Sequence, residues 1–432
     1  MLRGNGKRFA VPLAGIAIFA FAGRLTYVLA FSDQLHFGLD TVWYQLSAGT
    51  LALGKGFVDP GRFYSTGATV ATAFRPPLYS AFLAVVIKTF DGSRETFQIA
   101  GCFVGTATVV LIGLLGRRVG GNTVGLCAAA FAAVSPALVG FDASVMTETI
   151  YVPLVTAALL ALYAAIDRPT AGRWLLVGAL IGACILTRGD ALLLLPLLVV
   201  PGTIVASRTE ARRRYLLCLG AAALGAAVVV VPWVLRNDAR VGVPTLATLD
   251  SGTAIAGTNC HGSYFGSKLG SWDPLCAEIA ARPGEDEAAV NRRLTNDGLR
   301  YLRAHVTRVP LVVSARVLRL WGVWDPAGEV RLESIESRNV VWQVVTLCAY
   351  VPIAVLAGYG IFLMRRERAR VIPIVSVLAS VTLAAAITYG KQRFRAAAEP
   401  VLLVSASVAA VHLVRRRSGR AGAPGERLEL ST

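Results

Sequence analysis

The chain has 432 residues, of which 55% are hydrophobic, and a mean hydropathy of +0.59. That balance excludes a soluble enzyme, and apolar runs that do not alternate exclude a transmembrane barrel, which leaves an all-α polytopic membrane protein. The net charge of +17 does not imply nucleic acid, because the basic residues lie in short clusters between apolar spans, the positive-inside pattern.

Arg3, Lys7 and Arg8 precede a first span at about 9–31 that lacks a small-residue cleavage site, so it reads as a retained start-transfer helix with a cytoplasmic N-terminus. The stretch 36–79 then lies outside, as part of a first outer loop at 32–96. It holds Asp40 at the head of an amphipathic segment and Arg75 just before Pro76-Pro77. The short run after the prolines reads as a juxtamembrane helix in the interface, because a full crossing there would put Arg117 and Arg118 outside. Crossings follow at about 97–116, 122–140, 149–166, 173–187, 190–206 and 215–235. An outer loop at 236–339 precedes crossings at about 340–363, 371–389 and 398–414. The expectation is thus about ten crossings with both termini cytoplasmic, organised as 1–235, 236–339, 340–414 and a cytoplasmic tail at 415–432, whose stretch SGRAGAPGERLELST reads as disordered. Arg117/Arg118, Arg168/Arg173, Arg208/Arg212/Arg213/Arg214, Arg365/Arg366/Arg368/Arg370 and Arg415–Arg417 then all face the cytoplasm.

The same topology gathers polar residues on the outer face, where charge beside hydrocarbon is costly and marks functional candidates. Asp40 can cap its helix or act as a general base toward an acceptor hydroxyl. Arg75 can snorkel to headgroups or grip a phosphate through its planar fork. Tyr79 joins the substrate-binding candidates, although an interfacial aromatic ring explains it as well. Asp142 and Glu148 flank a short outer turn and could position an acceptor or hold a divalent cation; no cofactor is otherwise indicated. Arg188 and Asp190 in TRGD could brace two helices as an ion pair or bind substrate. Arg236 after VPW joins the outer group, and Arg393 and Arg395 in KQRFR could bind phosphate.

In the long loop, Tyr264, Phe265 or Trp272 could stack on a sugar. Cys260 and Cys276 are the disulfide candidates there, in a bridge worth about 3 kcal/mol for a loop of roughly fifteen residues. The other five cysteines lie in apolar spans, and no spacing resembles a zinc site. The segment carrying Arg300, Arg303, Arg308, Arg316 and Arg319 reads as an interfacial amphipathic helix broken at Pro310. Gly101–Gly105 and Gly178–Gly182 read as helix-packing motifs.

The series LDTVWYQLSAGTLALGKGF, RPPLYSAFLA, SPALVGFDASVMTETIY, LTRGDALLLLPLL, VPWVLRN and RFRAAAEPVLL resembles the GT-C superfamily of integral-membrane glycosyltransferases. The likeness is to its bacterial branch, related to protein O-mannosyltransferases and aminoarabinose transferases. The resemblance implies an inner-membrane enzyme that moves a sugar from a polyprenyl-phosphate donor, with inversion, to a glycan, lipid or protein hydroxyl outside the cytoplasm. It places the family's catalytic acidic residue, acting as base, at Asp40, the lipid-phosphate cation at Arg75 and a second acidic position at Glu148 rather than Asp142. A transporter or flippase of lipid-linked sugars is the alternative; such proteins show internal repeats and broken mid-membrane helices.

Overall fold

The computed structural model describes residues 2–31, 38–206, 212–334 and 339–417. Arg208 and most of the expected tail lie outside these residues. Among the described residues the fold is all-α, relieved only by an isolated bridge between Val58 and Ala71.

Eight helices among the described residues are long and apolar enough to cross a membrane. The expected tally of about ten includes two segments that fall short of that length. One arises because Arg94–Val134 is two helices joined at Gly120–Gly121, where Gly121 takes φ 82°. The other is the fifteen-residue helix Ala171–Ile185. Pro77–Thr89 is a separate short apolar helix that begins at the double proline, since a proline in the first turn surrenders no helical hydrogen bond.

Without a hydrophobic force between helices in lipid, close approach through small residues holds the bundle together. Gly178 shows this on Ala171–Ile185: a Cβ there would collide with the Ala222 carbonyl of Arg212–Val241. The Gly178–Gly182 motif is therefore helix packing. Gly101 likewise lets the Asp142 carbonyl of Pro136–Ala143 come close, and Gly105 makes room for the Asp142 carboxylate. The first helix, Leu2–Phe31, runs beside Arg94–Val134, and Val340–Met364 packs on Glu399–Arg417. A single large cluster of buried apolar side chains unites these elements.

Residues 242–334 form a cap of short helices. Ser251–Thr258 lies on Glu287–Ala304, and Val309–Leu320 leans on Arg368–Ile387. The expectation of one interfacial helix broken at Pro310 is corrected here. Pro310 stands in the first turn of Val309–Leu320, so it starts a helix. Arg316 and Arg319 are buried. Arg319 donates to the carbonyls of Leu269 and Ser267 at 2.6 Å each and pairs with Glu329 at 2.6 Å. Arg316 donates to the Thr258 carbonyl at 2.5 Å and the Ala386 carbonyl at 3.2 Å. These guanidiniums satisfy loop carbonyls that burial would otherwise leave unpaired. Cys260 and Cys276 are joined in a disulfide, with Cα atoms 6.3 Å apart.

Candidate active site

Asp40 lies in the first turn of Leu39–Ala52, whose N-cap is Gly38. Its carboxylate does not cap the helix. Oδ1 accepts from Arg75 Nη2 at 2.5 Å and Oδ2 from Arg393 Nη2 at 3.3 Å. Helix Leu39–Ala52 packs on Pro77–Thr89, which brings Asp40 to the residue just ahead of the double proline.

The remaining charges continue this contact as an alternating chain. Arg75 Nη1 reaches Asp250 Oδ2 at 2.5 Å. On the other side, Arg393 Nε lies 3.2 Å from Glu148 Oε1, and Arg188 Nη1 donates to the same Glu148 oxygen at 2.7 Å. Arg188 Nε then donates to Asp190 at 3.0 Å. The order is Asp250, Arg75, Asp40, Arg393, Glu148, Arg188, Asp190, with Glu148 fully buried and Asp40, Arg75 and Asp250 each about one-fifth exposed. Asp190 at the far end is about one-fifth exposed as well, so the chain of charges meets solvent at both ends and is buried at Arg393, Glu148 and Arg188.

The turn that presents Glu148 is held from several sides. Gln98 Nε2 donates to the Ala143 carbonyl at 3.0 Å, and Thr149 Oγ1 donates to the Phe141 carbonyl at 3.0 Å. Thr41, next to Asp40, donates to the Ser144 carbonyl at 3.4 Å. Val145 in this turn has φ 53°, a left-handed conformation that costs a β-branched residue about 1–3 kcal/mol and persists only where the surroundings enforce it.

Three candidates stand apart from this chain of charges. Asp142 is buried and pairs with Arg24 of the first membrane helix at 2.7 Å, because the helix Pro136–Ala143 turns it toward Gly105 and away from Glu148. Arg395 pairs with Glu399 at 2.9 Å and lies over the Tyr350 ring, on a different side of Gln392–Ala398 from Arg393. Two residues along a three-per-turn helix point in different directions, which separates the two arginines. Tyr79 is 1% exposed, packed edge-on against Tyr44 at 5.3 Å, so it supports the helix pair beneath Asp40. Burial pushes the Tyr44 hydroxyl up to about 12. Tyr264 is likewise buried, and Phe265 carries the Arg308 guanidinium on its ring.

Asp250 is the member that sequence reasoning missed, since TLDSGT has no feature beyond a loop signature. Burial raises its carboxyl above the ordinary range despite the opposing pull of Arg75. Burial also opposes the charge on Arg75, but Asp250 and Asp40 together hold its pKa above the usual arginine range. Arg24 was missed as well, although a lone charge inside FAFAGRLTYVLAF is the kind of signal that could have revealed it. Arg236 stands outside the chain of charges: it donates to the Thr72 carbonyl at 2.6 Å and to the Phe57 carbonyl. With Glu287, which accepts from Thr72 and Ala73, it fixes the extended segment leading to Arg75.

This arrangement sits in a bundle of known kind. Residues 74–235 match the family model described as dolichyl-phosphate-mannose-protein mannosyltransferase. Over 97% of the chain, the structure superposes on the oligosaccharyltransferase of Archaeoglobus fulgidus in its apo form, with a TM-score of 0.57 and 13% identity. The fold is the one this archaeal oligosaccharyltransferase shares over that length.

The same archaeal enzyme, AglB, in complex with an inhibitory peptide and a dolichol-phosphate gives a TM-score of 0.53 at 12% identity over 96% of the chain. ArnT from Cupriavidus metallidurans bound to undecaprenyl phosphate superposes more loosely, at 0.44 with 14% identity, covering 97% of this chain and 82% of that one. The chain spans about half the length of AglB, 52% in the complex and 53% in the apo form. No curated protein matches it in sequence. The long apolar helices among the described residues make the chain a multi-pass membrane protein.

Proposed function

We propose that this chain is a glycosyltransferase that moves a sugar from a polyprenyl-phosphate donor to an acceptor hydroxyl, with inversion, on the extracytoplasmic face of the inner membrane. The observation that carries the reading is the contact between Asp40 and Arg75, both part-exposed. The 74–235 match to the mannosyltransferase model and the dolichol-phosphate held by AglB support the donor class. Both termini face the cytoplasm on this reading, and the acceptor is a glycan, a lipid or a protein hydroxyl.

The step is a single displacement. The acceptor oxygen attacks the anomeric carbon and forms the new C–O bond while Asp40 takes its proton. The bond from that carbon to the phosphate oxygen breaks, and its electron pair leaves with the phosphate. Arg75 and Arg393 stand where that negative charge grows, and in a partly dry site such preorganised donors act strongly. Glu148 and Arg188 hold Arg393 in place from behind.

The pair offered for a divalent cation is split, with Asp142 on Arg24 and Glu148 between Arg188 and Arg393. Asp40 presents each of its oxygens to an arginine, and Asp250 presents its own to Arg75 and Thr253. The guanidiniums already meet the need a metal would fill, and no step is routed through one.

The test is sugar transfer in detergent, from a polyprenyl-phosphate sugar, by the native chain and by Asp40→Asn. Losing a general base should lower turnover by about 10²–10⁴-fold, while the variant still binds donor. Full turnover by Asp40→Asn overturns the assignment. Sugar movement that needs sealed vesicles, with no product in detergent, supports the transporter alternative instead.

A further inference from the structure

The charge chain contains four carboxylates, Asp250, Asp40, Glu148 and Asp190, against three guanidiniums, Arg75, Arg393 and Arg188, so it carries a formal charge of about −1 before any substrate arrives. A lipid phosphate adds further negative charge at the same place. Like charges at contact distance in a partly buried site repel strongly, so one carboxylate has to yield.

Resting on the reading of Arg75 as the phosphate-binding cation, we propose that Asp250 is a positioning residue that occupies the donor phosphate's place on Arg75 and gives it up when the donor binds.

Arg75 has three nitrogens. Nη2 is held by Asp40, Nη1 by Asp250, and Nε is buried with no partner. An oxyanion gripping this guanidinium by two bonds must therefore share a nitrogen with a carboxylate or replace one. Asp40 is anchored twice, by Arg75 and Arg393, and is the less ready to leave. Asp250 has a single cation, and its other oxygen already accepts from the Thr253 hydroxyl of its own helix, so a rotation that releases Arg75 leaves it a partner. It is also about one-fifth exposed, at the head of Ser251–Thr258 in the cap. The groups that face it are Arg75, Thr253, Asp40 and Arg393. The carboxyl's raised affinity for a proton, caused first by burial, gives a second route of release, since a neutral Asp250 no longer competes with phosphate.

The experiment measures the Kd of full-length protein in detergent for polyprenyl phosphate across mildly acidic to neutral pH. It compares the native chain, Asp250→Asn, Asp250→Ala and Arg75→Ala. Removing a competing charge-assisted contact should tighten binding by about tenfold at neutral pH in both Asp250 variants. The advantage should shrink as pH falls, because the native carboxyl becomes protonated and the native chain catches up. A merely structural Asp250 would not give this convergence. Weaker or unchanged binding in a folded Asp250 variant overturns the proposal, as does a tightening that is the same at every pH. Arg75→Ala separates the two readings. If it binds as the native chain does, phosphate is not held at Arg75 and the functional reading fails too. If it loses binding while the Asp250 variants fail to tighten, only the Asp250 proposal falls.

Discussion

Arg24 Nε lies 2.7 Å from Asp142 Oδ2, with both side chains buried between the first membrane helix and the slot above Gly105. Arg24 also donates to the Ala20 carbonyl at 3.2 Å. Asp142 is six residues from Glu148, yet the two carboxylates serve different partners. Removing one member of such a pair leaves an uncompensated buried charge, so Asp142→Ala should destabilise the fold by about 3–5 kcal/mol. The double variant Arg24→Ala/Asp142→Ala should cost less than the sum of the singles. Thermal unfolding in detergent measures both, and additive losses would mean that the pair does not couple.

Arg393 and Arg395 should part company in the same way. Arg393 touches Asp40 and Glu148, whereas Arg395 touches Glu399 and Tyr350. Arg393→Ala should lose about 10²-fold or more in turnover, the scale of a lost transition-state charge contact. Arg395→Ala should lower the melting temperature, with turnover per folded molecule retained. Equal turnover losses in the two variants would contradict the separation.

The disulfide closes the loop between Cys260 and Cys276, a separation of 16 residues. By the loop-entropy relation its loss should cost about 3 kcal/mol of stability. Reductant should lower the melting temperature of the native chain and leave that of Cys260→Ser/Cys276→Ser unchanged. A reductant effect in the double variant would place the sensitivity elsewhere.

Glu287 gives the pH dependence a sign. Its carboxylate accepts from Thr72 and Ala73 just ahead of Arg75, and burial raises its pKa above the ordinary value. The folded state therefore keeps a proton that the unfolded chain has released, and this contribution to stability is lost as pH rises from the unfolded toward the folded pKa. Glu287→Gln, which mimics the neutral acid, should gain melting temperature relative to the native chain as pH rises through that window. A constant difference across the window would refute the shift.

The crossings were legible because apolar length is written directly in sequence, and Asp40 and Arg75 stood out because charge beside hydrocarbon is rare. Partners were harder to read. Sequence spacing placed Asp142 beside Glu148, whereas the end of Pro136–Ala143 turns it toward Arg24. Arg316 and Arg319 showed the same ambiguity, since an amphipathic period does not say whether the polar face meets headgroups or the carbonyls of a cap. Asp250 had no periodic context at all, and only the cap's return over the bundle brings it to Arg75.

The account rests on a phosphate meeting the guanidinium of Arg75 beside Asp40. A structure of the full chain with polyprenyl phosphate bound tests this most directly. The phosphate should lie within hydrogen-bonding distance of Arg75, about 2.7–2.9 Å from its nitrogens, with Asp40 facing the space the sugar would occupy. A phosphate seated away from Arg75, with the Asp40–Arg75 contact untouched, would contradict it.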